Sequence, residues 1–139
     1  MAAYNKFLVF TKDLISGVHN FDKHTYKILL TNEAPQATYS VKFDLKEITS
    51  GNGYPSGGKA TTMATWMEDG KAKFRGTNVE FRAFGGVIGP FKHAVLYNDT
   101  APQKPVIAWW DYPGESIVLQ MAEPFTVKFG EVIGEVIPV

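Results

Sequence analysis

Residues 78–83, Asn78-Val79-Glu80-Phe81-Arg82-Ala83, alternate polar and apolar side chains at every step. Successive side chains of an extended chain point to opposite faces, so this stretch reads as a strand with one wet face and one dry face. Gly85-Gly86 breaks it. The same period of two recurs at Phe125, Val127 and Phe129, with Thr126 and Lys128 between them. It recurs again at Tyr39, Val41, Phe43 and Leu45, which predicts a half-buried strand there.

Outward from these segments the chain continues as short apolar runs closed by turn residues. Tyr26–Leu30 ends at Asn32-Glu33-Ala34-Pro35, and Glu68-Asp69-Gly70 separates a Thr-rich run over 59–67 from a return strand over 71–75. Phe91–Tyr97 closes at Asn98-Asp99-Thr100-Ala101-Pro102, Pro105–Trp110 closes at Asp111-Tyr112-Pro113-Gly114, and 117–120 is a further short strand. With Gly 13 and Pro 8 in 139 residues, a chain breaker falls about every seven positions, which leaves little room for long helices. The exception is the N-terminal segment. Tyr4, Phe7, Leu8, Ile15 and Val18 recur near one face at helical spacing and predict a helix over about 4–17, ended by Gly17. The pattern predicts an all-β fold: one domain over 1–139, an antiparallel sandwich or barrel of eight to ten strands with one short N-terminal helix.

Composition narrows the function. Cys 0 excludes a thiol nucleophile, a disulfide scaffold and a cysteine-based metal site. Lys plus Arg and Asp plus Glu are both 14, and each half of the chain carries seven of each sign. A nucleic-acid binder draws affinity from a basic excess, so nucleic acid is not an expected partner. The cluster Lys71, Lys73, Arg75, Arg82 and Lys92 reads as a solvated strand face. The apolar run near the start, Phe7–Phe10, is too short for a signal peptide or a membrane span. The expectation is a protein made in the cytoplasm, with no membrane partner.

Chemistry-bearing motifs fall short of a site. Gly53, Gly58 and Lys59 match part of a phosphate-binding loop, but Ala60 stands where Ser or Thr would hold magnesium and Pro55 interrupts the loop. His19 and His24 are five apart and His93 lies among apolar neighbours, which is no metal-ligand spacing. No Gly-x-Ser-x-Gly elbow occurs, and Asp99 and Asp111 sit in turn signals. No enzyme activity, metal or cofactor is expected.

Two features point to contact instead. Trp109-Trp110-Asp111-Tyr112 sets three large rings at a strand end. Trp109 and Trp110 must face opposite sides, so one fills the core while the other needs cover from the helix or a loop, from a partner, or from a stacked sugar. At the C-terminus, Val132 and Val136 share one face of a strand over 132–137, and Ile133 and Ile137 share the other. A strand apolar on both faces needs cover on both. One face joins the core, and a second subunit, another protein or the N-terminal helix covers the other. Trp109, Trp110, Tyr112, Val132, Ile133, Val136 and Ile137 are therefore the candidate interface residues.

Several segments, in order, resemble small virion proteins of tailed bacteriophages. They are Asn5-Lys6-Phe7, Val18-His19-Asn20, Tyr26-Lys27-Ile28-Leu29-Leu30-Thr31-Asn32-Glu33-Ala34-Pro35, Gly51-Asn52-Gly53-Tyr54, Ile88-Gly89-Pro90-Phe91, Ala94-Val95-Leu96-Tyr97-Asn98-Asp99-Thr100 and Trp109-Trp110-Asp111-Tyr112. Together they span about residues 4–129 and resemble the capsid cement, or decoration, proteins of short-tailed phages. The resemblance implies a jelly-roll sandwich on the outside of the virion head, a homodimer bridging major capsid protein subunits, and no catalytic residues. Pro113-Gly114 and the charged segment 71–75 depart from that pattern. A carbohydrate- or receptor-binding jelly-roll module of the tail is the alternative, because one fold serves both.

Overall fold

The computed structural model describes residues 2–129 and the backbone of Gly134–Val136. Among the described residues strands predominate and pair in antiparallel sheets, with one short α-helix. The elements are β1 (Ala3–Lys6), α1 (Val9–Ile15), β2 (Tyr26–Thr31), β3 (Lys59–Thr61), β4 (Met63–Glu68), β5 (Lys71–Gly76), β6 (Val79–Arg82), β7 (Ile88–Phe91), β8 (His93–Asn98), β9 (Val106–Asp111), β10 (Ile117–Leu119), β11 (Pro124–Val127) and β12 (Gly134–Val136). Among the described residues, no helix is long and apolar enough to cross a membrane.

The largest sheet runs β1-β9-β8-β2-β3. The second half of the chain forms nested antiparallel pairs. β8 pairs with β9, β7 with β10, β6 with β11 and β5 with β12. Strands β5 to β8 therefore run out, and β9 to β12 run back beside them, as one interrupted ribbon that turns at 99–105.

The main core lies between the large sheet and the strands β5, β6, β7, β10 and β11 of this ribbon. Tyr26, Ile28, Leu30, Ala94, Leu96 and Trp110 meet Phe74, Phe81, Ile88, Phe91, Leu119 and Val127 there. The strand over 78–83 alternates as its sequence requires, with Val79 and Phe81 buried and Glu80 and Arg82 exposed. A second cluster, Phe7, Leu29, Val95, Tyr97, Val106 and Trp109, covers the outer face of the large sheet. β8 is buried along its whole length. A register shift lets β9 serve both clusters: Leu96 faces Ala108 but Tyr97 faces Val106, so Ile107 is an extra residue. Its carbonyl accepts the Phe7 N–H at 3.0 Å.

Two expected elements differ from the structure. The helix spans Val9–Ile15, not 4–17, and Tyr4 belongs to β1, where it pairs with Trp110. Pairing of the edge strand with β9 outweighs the helical periodicity that the apolar side chains suggested. Leu8 is 69% exposed and the helix buries Phe10 instead. Its end is as expected: Gly17 has φ +76°, with Gly17 N–H bonded to Leu14 O and Val18 N–H to Asp13 O, which is a Schellman cap.

The strand expected over 39–45 is instead an irregular cover with a 3-10 turn at Lys42–Asp44. The Asp44 carboxylate accepts the N–H groups of Ser40 at 3.0 Å and Val41 at 3.2 Å, and this local closure defeats the ladder. Tyr39 and Leu45 pack on the outer cluster, while Phe43 is 94% exposed.

Candidate interaction surface

The fold itself supplies the cover that the paired tryptophans require. Trp110 is 4% exposed in the main core, edge-on to Phe129 at 5.1 Å and tilted against Tyr4 at 5.7 Å. Trp109 is 8% exposed on the opposite face, beneath Phe7 at 4.5 Å. The segment joining β1 to α1 is the cover, so neither indole waits for a partner. Tyr112 is half-buried, edge-on to Phe125 at 4.9 Å. Tyr4, Trp110, Tyr112, Thr126, Lys128 and Phe129 line an aromatic cleft of about 430 Å³. Partial burial raises the Tyr112 phenol above its ordinary range.

The C-terminal candidates divide. The backbone of Gly134–Val136 pairs with β5, Val136 opposite Ala72. Val132, Ile133 and Ile137 lie outside the described residues, as does the side chain of Val136.

A different apolar surface stands exposed. The β6–β7 connection carries Phe84, 80% exposed, and Val87. Beside it are Val118 on β10 and Met121, 63% exposed, in the β10–β11 connection. The two connections are tied by Ala83 N–H to Glu123 O at 3.1 Å and Ala122 N–H to Ala83 O at 2.8 Å.

The Gly51–Tyr54 turn holds this corner from behind. Asn52 O accepts the Phe84 N–H at 2.8 Å, and Asn52 Nδ2 donates to Val87 O at 3.0 Å. Gly53, at φ +99°, presses its backbone on β6, where a Cβ would collide with the Arg82 carbonyl oxygen. The glycine-rich stretch is thus a brace. It leads into a strand and not a helix, and Lys59 Nζ is spent on the Glu80 carbonyl at 2.9 Å, so the phosphate-loop geometry is absent.

The same stretch is anchored at its other end. Glu47 Oε2 accepts the Tyr54 hydroxyl at 2.5 Å and the Gly57 N–H at 2.6 Å, and the Tyr97 hydroxyl donates to Gly57 O at 2.5 Å. Burial first, and the bonded Glu47 carboxylate second, raise the Tyr54 phenol.

Other polar groups are placed structurally. His93 Nδ1 lies 2.6 Å from Asp111 Oδ1, which also accepts Trp109 Nε1–H at 3.0 Å, and Asn5 Nδ2 reaches Asp111 Oδ2 at 3.1 Å. Asp111 is therefore the last residue of β9 and joins β1, β8 and β9, where the sequence suggested a turn. Asp99 does sit in a turn, held by Lys27 at 3.2 Å and Lys104 at 2.6 Å. In the basic stretch, Lys73 pairs with Glu68 at 2.9 Å, Arg75 lies over the Trp66 ring at 5.7 Å, and Arg82 reaches Ala122 O at 2.8 Å. Lys92 Nζ bonds Tyr112 O at 2.9 Å. Among the described residues, no three His, Asp or Glu side chains converge as metal ligands.

Sequence reasoning missed the Phe84 corner. Gly85-Gly86 marks a strand break, and only the register of β6 with β11 and of β7 with β10 brings Met121 and Val118 beside it. Comparison with protein-family models, with curated proteins and with solved structures finds no match.

Proposed function

We propose that the protein is a capsid decoration protein, which binds the outside of a phage head and stabilises contacts between major capsid protein subunits. The resemblance in the sequence motivates the reading, and the braced apolar corner at Phe84, Val87, Val118 and Met121 is the observation that carries it. Exposed Phe and Met on a loop fixed from behind give a binding surface that loses little entropy on docking. A clip that binds only the assembled shell stabilises it by mass action, and many copies on one lattice add through multivalency.

The nested pairs β5–β12, β6–β11, β7–β10 and β8–β9 support a jelly-roll arrangement, in which one long hairpin is rolled into two facing layers. The β2–β3 pair added beside β8 extends that scheme. On this reading no step of catalysis is assigned to any residue, and copies on the lattice pair as homodimers.

Binding to expanded heads that lack the protein tests the proposal. The native chain should co-sediment with heads at saturable stoichiometry, and Phe84→Ser with Met121→Ser should abolish binding while the isolated domain stays folded. Native-like binding by that variant would overturn the assignment of the corner. A second reading, a glycan-binding tail module, draws on the cleft at Tyr4, Trp110 and Tyr112, where rings stand beside Thr126 and Lys128. Protection of Tyr112 by an oligosaccharide would favour it.

A further inference from the structure

The turn between α1 and β2 is tied to the end of β8 by one side chain. Asn98 Oδ1 accepts the N–H groups of Thr100 at 2.9 Å and Ala101 at 3.1 Å, which fixes the way its amide faces. Its Nδ2 is left to donate, and it meets His24 Nδ1 at 2.9 Å and His19 Nδ1 at 3.1 Å, with the Tyr26 hydroxyl further off at 3.4 Å. A ring nitrogen that accepts carries no proton, so both imidazoles hold theirs at Nε2. His24 Nδ1 also faces the Asn20 N–H at 3.3 Å. His19 is the buried member. Its Nε2 has no hydrogen-bond partner, and Phe10, Tyr26 and Phe21 surround the ring at 5.5, 6.0 and 6.1 Å.

A proton on either Nδ1 removes the lone pair that Asn98 uses and sets N–H against N–H. On His19 it also places a charge among aromatic rings. The same turn carries Phe21, which stacks on Phe74 at 4.8 Å. Phe21 walls an apolar cleft of about 420 Å³ whose other sides are Leu14, Trp66, Met67 and Phe74.

We propose that His19, Asn98 and His24 form an acid-sensitive latch: neutral imidazoles hold the α1–β2 turn closed, and protonation releases it and opens the apolar cleft beneath Phe21. The inference is independent of what the protein binds.

The surrounding charges leave the histidines as the acid-opened groups. Asp99, next to Asn98, is held by Lys27 of β2 and Lys104. Asp22 and Lys23 of the turn are exposed, and on β5 Lys73 pairs with Glu68. On α1, burial raises the Asp13 carboxyl and Lys12 offsets this only in part, so acid favours the folded form through Asp13, opposite in sign to His19. Tyr26, raised by burial, stays neutral throughout. Burial first, and His24 second, push His19 down to about 4, so the closed turn resists the proton in mild acid while the opened turn, near the ordinary 6.5, accepts it, and this difference drives opening.

Hydrogen exchange on the full chain at pH 7 and pH 4.5, corrected for intrinsic rates, tests the latch. Protection of the amides in 17–25 should fall on the order of tenfold or more. β8 and β9 should keep theirs, and binding of an apolar dye should rise in parallel. A double variant, His19→Asn with His24→Asn, keeps an acceptor near each Nδ1 and cannot take up a proton, so its turn should stay protected at both pH values. Unchanged protection of the native turn at pH 4.5, or equal loss in the double variant, would overturn the proposal. If that variant does not fold, imidazole nitrogen spectra of the native chain decide. Both Nδ1 atoms should be unprotonated at pH 7 and gain protons as the turn opens, and a proton on either at pH 7 would contradict the latch.

Discussion

Phe7 lies over Trp109 with ring centroids 4.5 Å apart, and this pair closes the outer face of the large sheet. Phe7 is not part of a helix here. It follows β1, and its N–H is held by the extra residue of β9, Ile107. Truncation to Phe7→Ala should cost about 3–5 kcal/mol of stability and shift the tryptophan emission to longer wavelength as water reaches Trp109. Leu8→Ala, one position on and exposed, should stay within about 0.5 kcal/mol. Urea denaturation of the two variants checks the contrast, and equal losses would contradict this account of the outer cluster.

Gly58 is the tightest point of the brace. Its φ is +82°, and a Cβ there would collide with the Ile28 carbonyl oxygen of β2. Gly58→Ala should lower stability by more than about 2 kcal/mol. Gly85→Ala meets no neighbour and bears only the strain of its φ of +79°, so it should cost less. Thermal denaturation of both variants measures the difference.

The Phe84 corner should be expendable for folding. Phe84→Ser removes an exposed ring from a loop whose backbone is fixed by Asn52, so the melting temperature should change little. Asn52→Ala, which frees Val87 O, should leave the strands intact while weakening head binding several-fold through loss of preorganisation. Sedimentation with heads, set beside circular dichroism of the isolated variants, reads both effects.

Stability should fall with acid in two separate windows. The His19 imidazole is favoured neutral in the fold, so the unfolded chain takes up its proton first. Stability is full above the unfolded value near 6.5 and declines towards about pH 4. For Asp99, burial raises the carboxyl, but Lys104 and Lys27 outweigh it and its value lies below the ordinary one. That contribution is present above about pH 4 and is lost as pH falls further. Denaturant midpoints taken at stepped pH should show the upper decline shrink in His19→Asn and the lower one shrink in Asp99→Asn.

The all-β character was legible because alternation at 78–83 and at 125–129 answers to one buried face in each strand. The same rule failed at 39–45, where the Asp44 carboxylate accepts the Ser40 and Val41 N–H groups and Phe43 is left in water. It failed at the N-terminus because Tyr4 and Phe7 serve two faces of β9, not one face of a helix. Trp109 and Trp110 were correctly set on opposite faces, but the cover for Trp109 comes from a segment a hundred residues away in sequence. The Phe84 corner and the Asn98 bond to both histidines depend on long-range register, which no local pattern carries.

Under the proposed function, cryo-electron microscopy of phage virions assembled in the presence of this chain tests the central claim most directly. The account predicts a regular lattice of this fold on the outer surface of the head, with the Phe84, Val87, Val118 and Met121 corner seated against the major capsid protein. Density for the chain confined to the tail, or none in the virion, would contradict it.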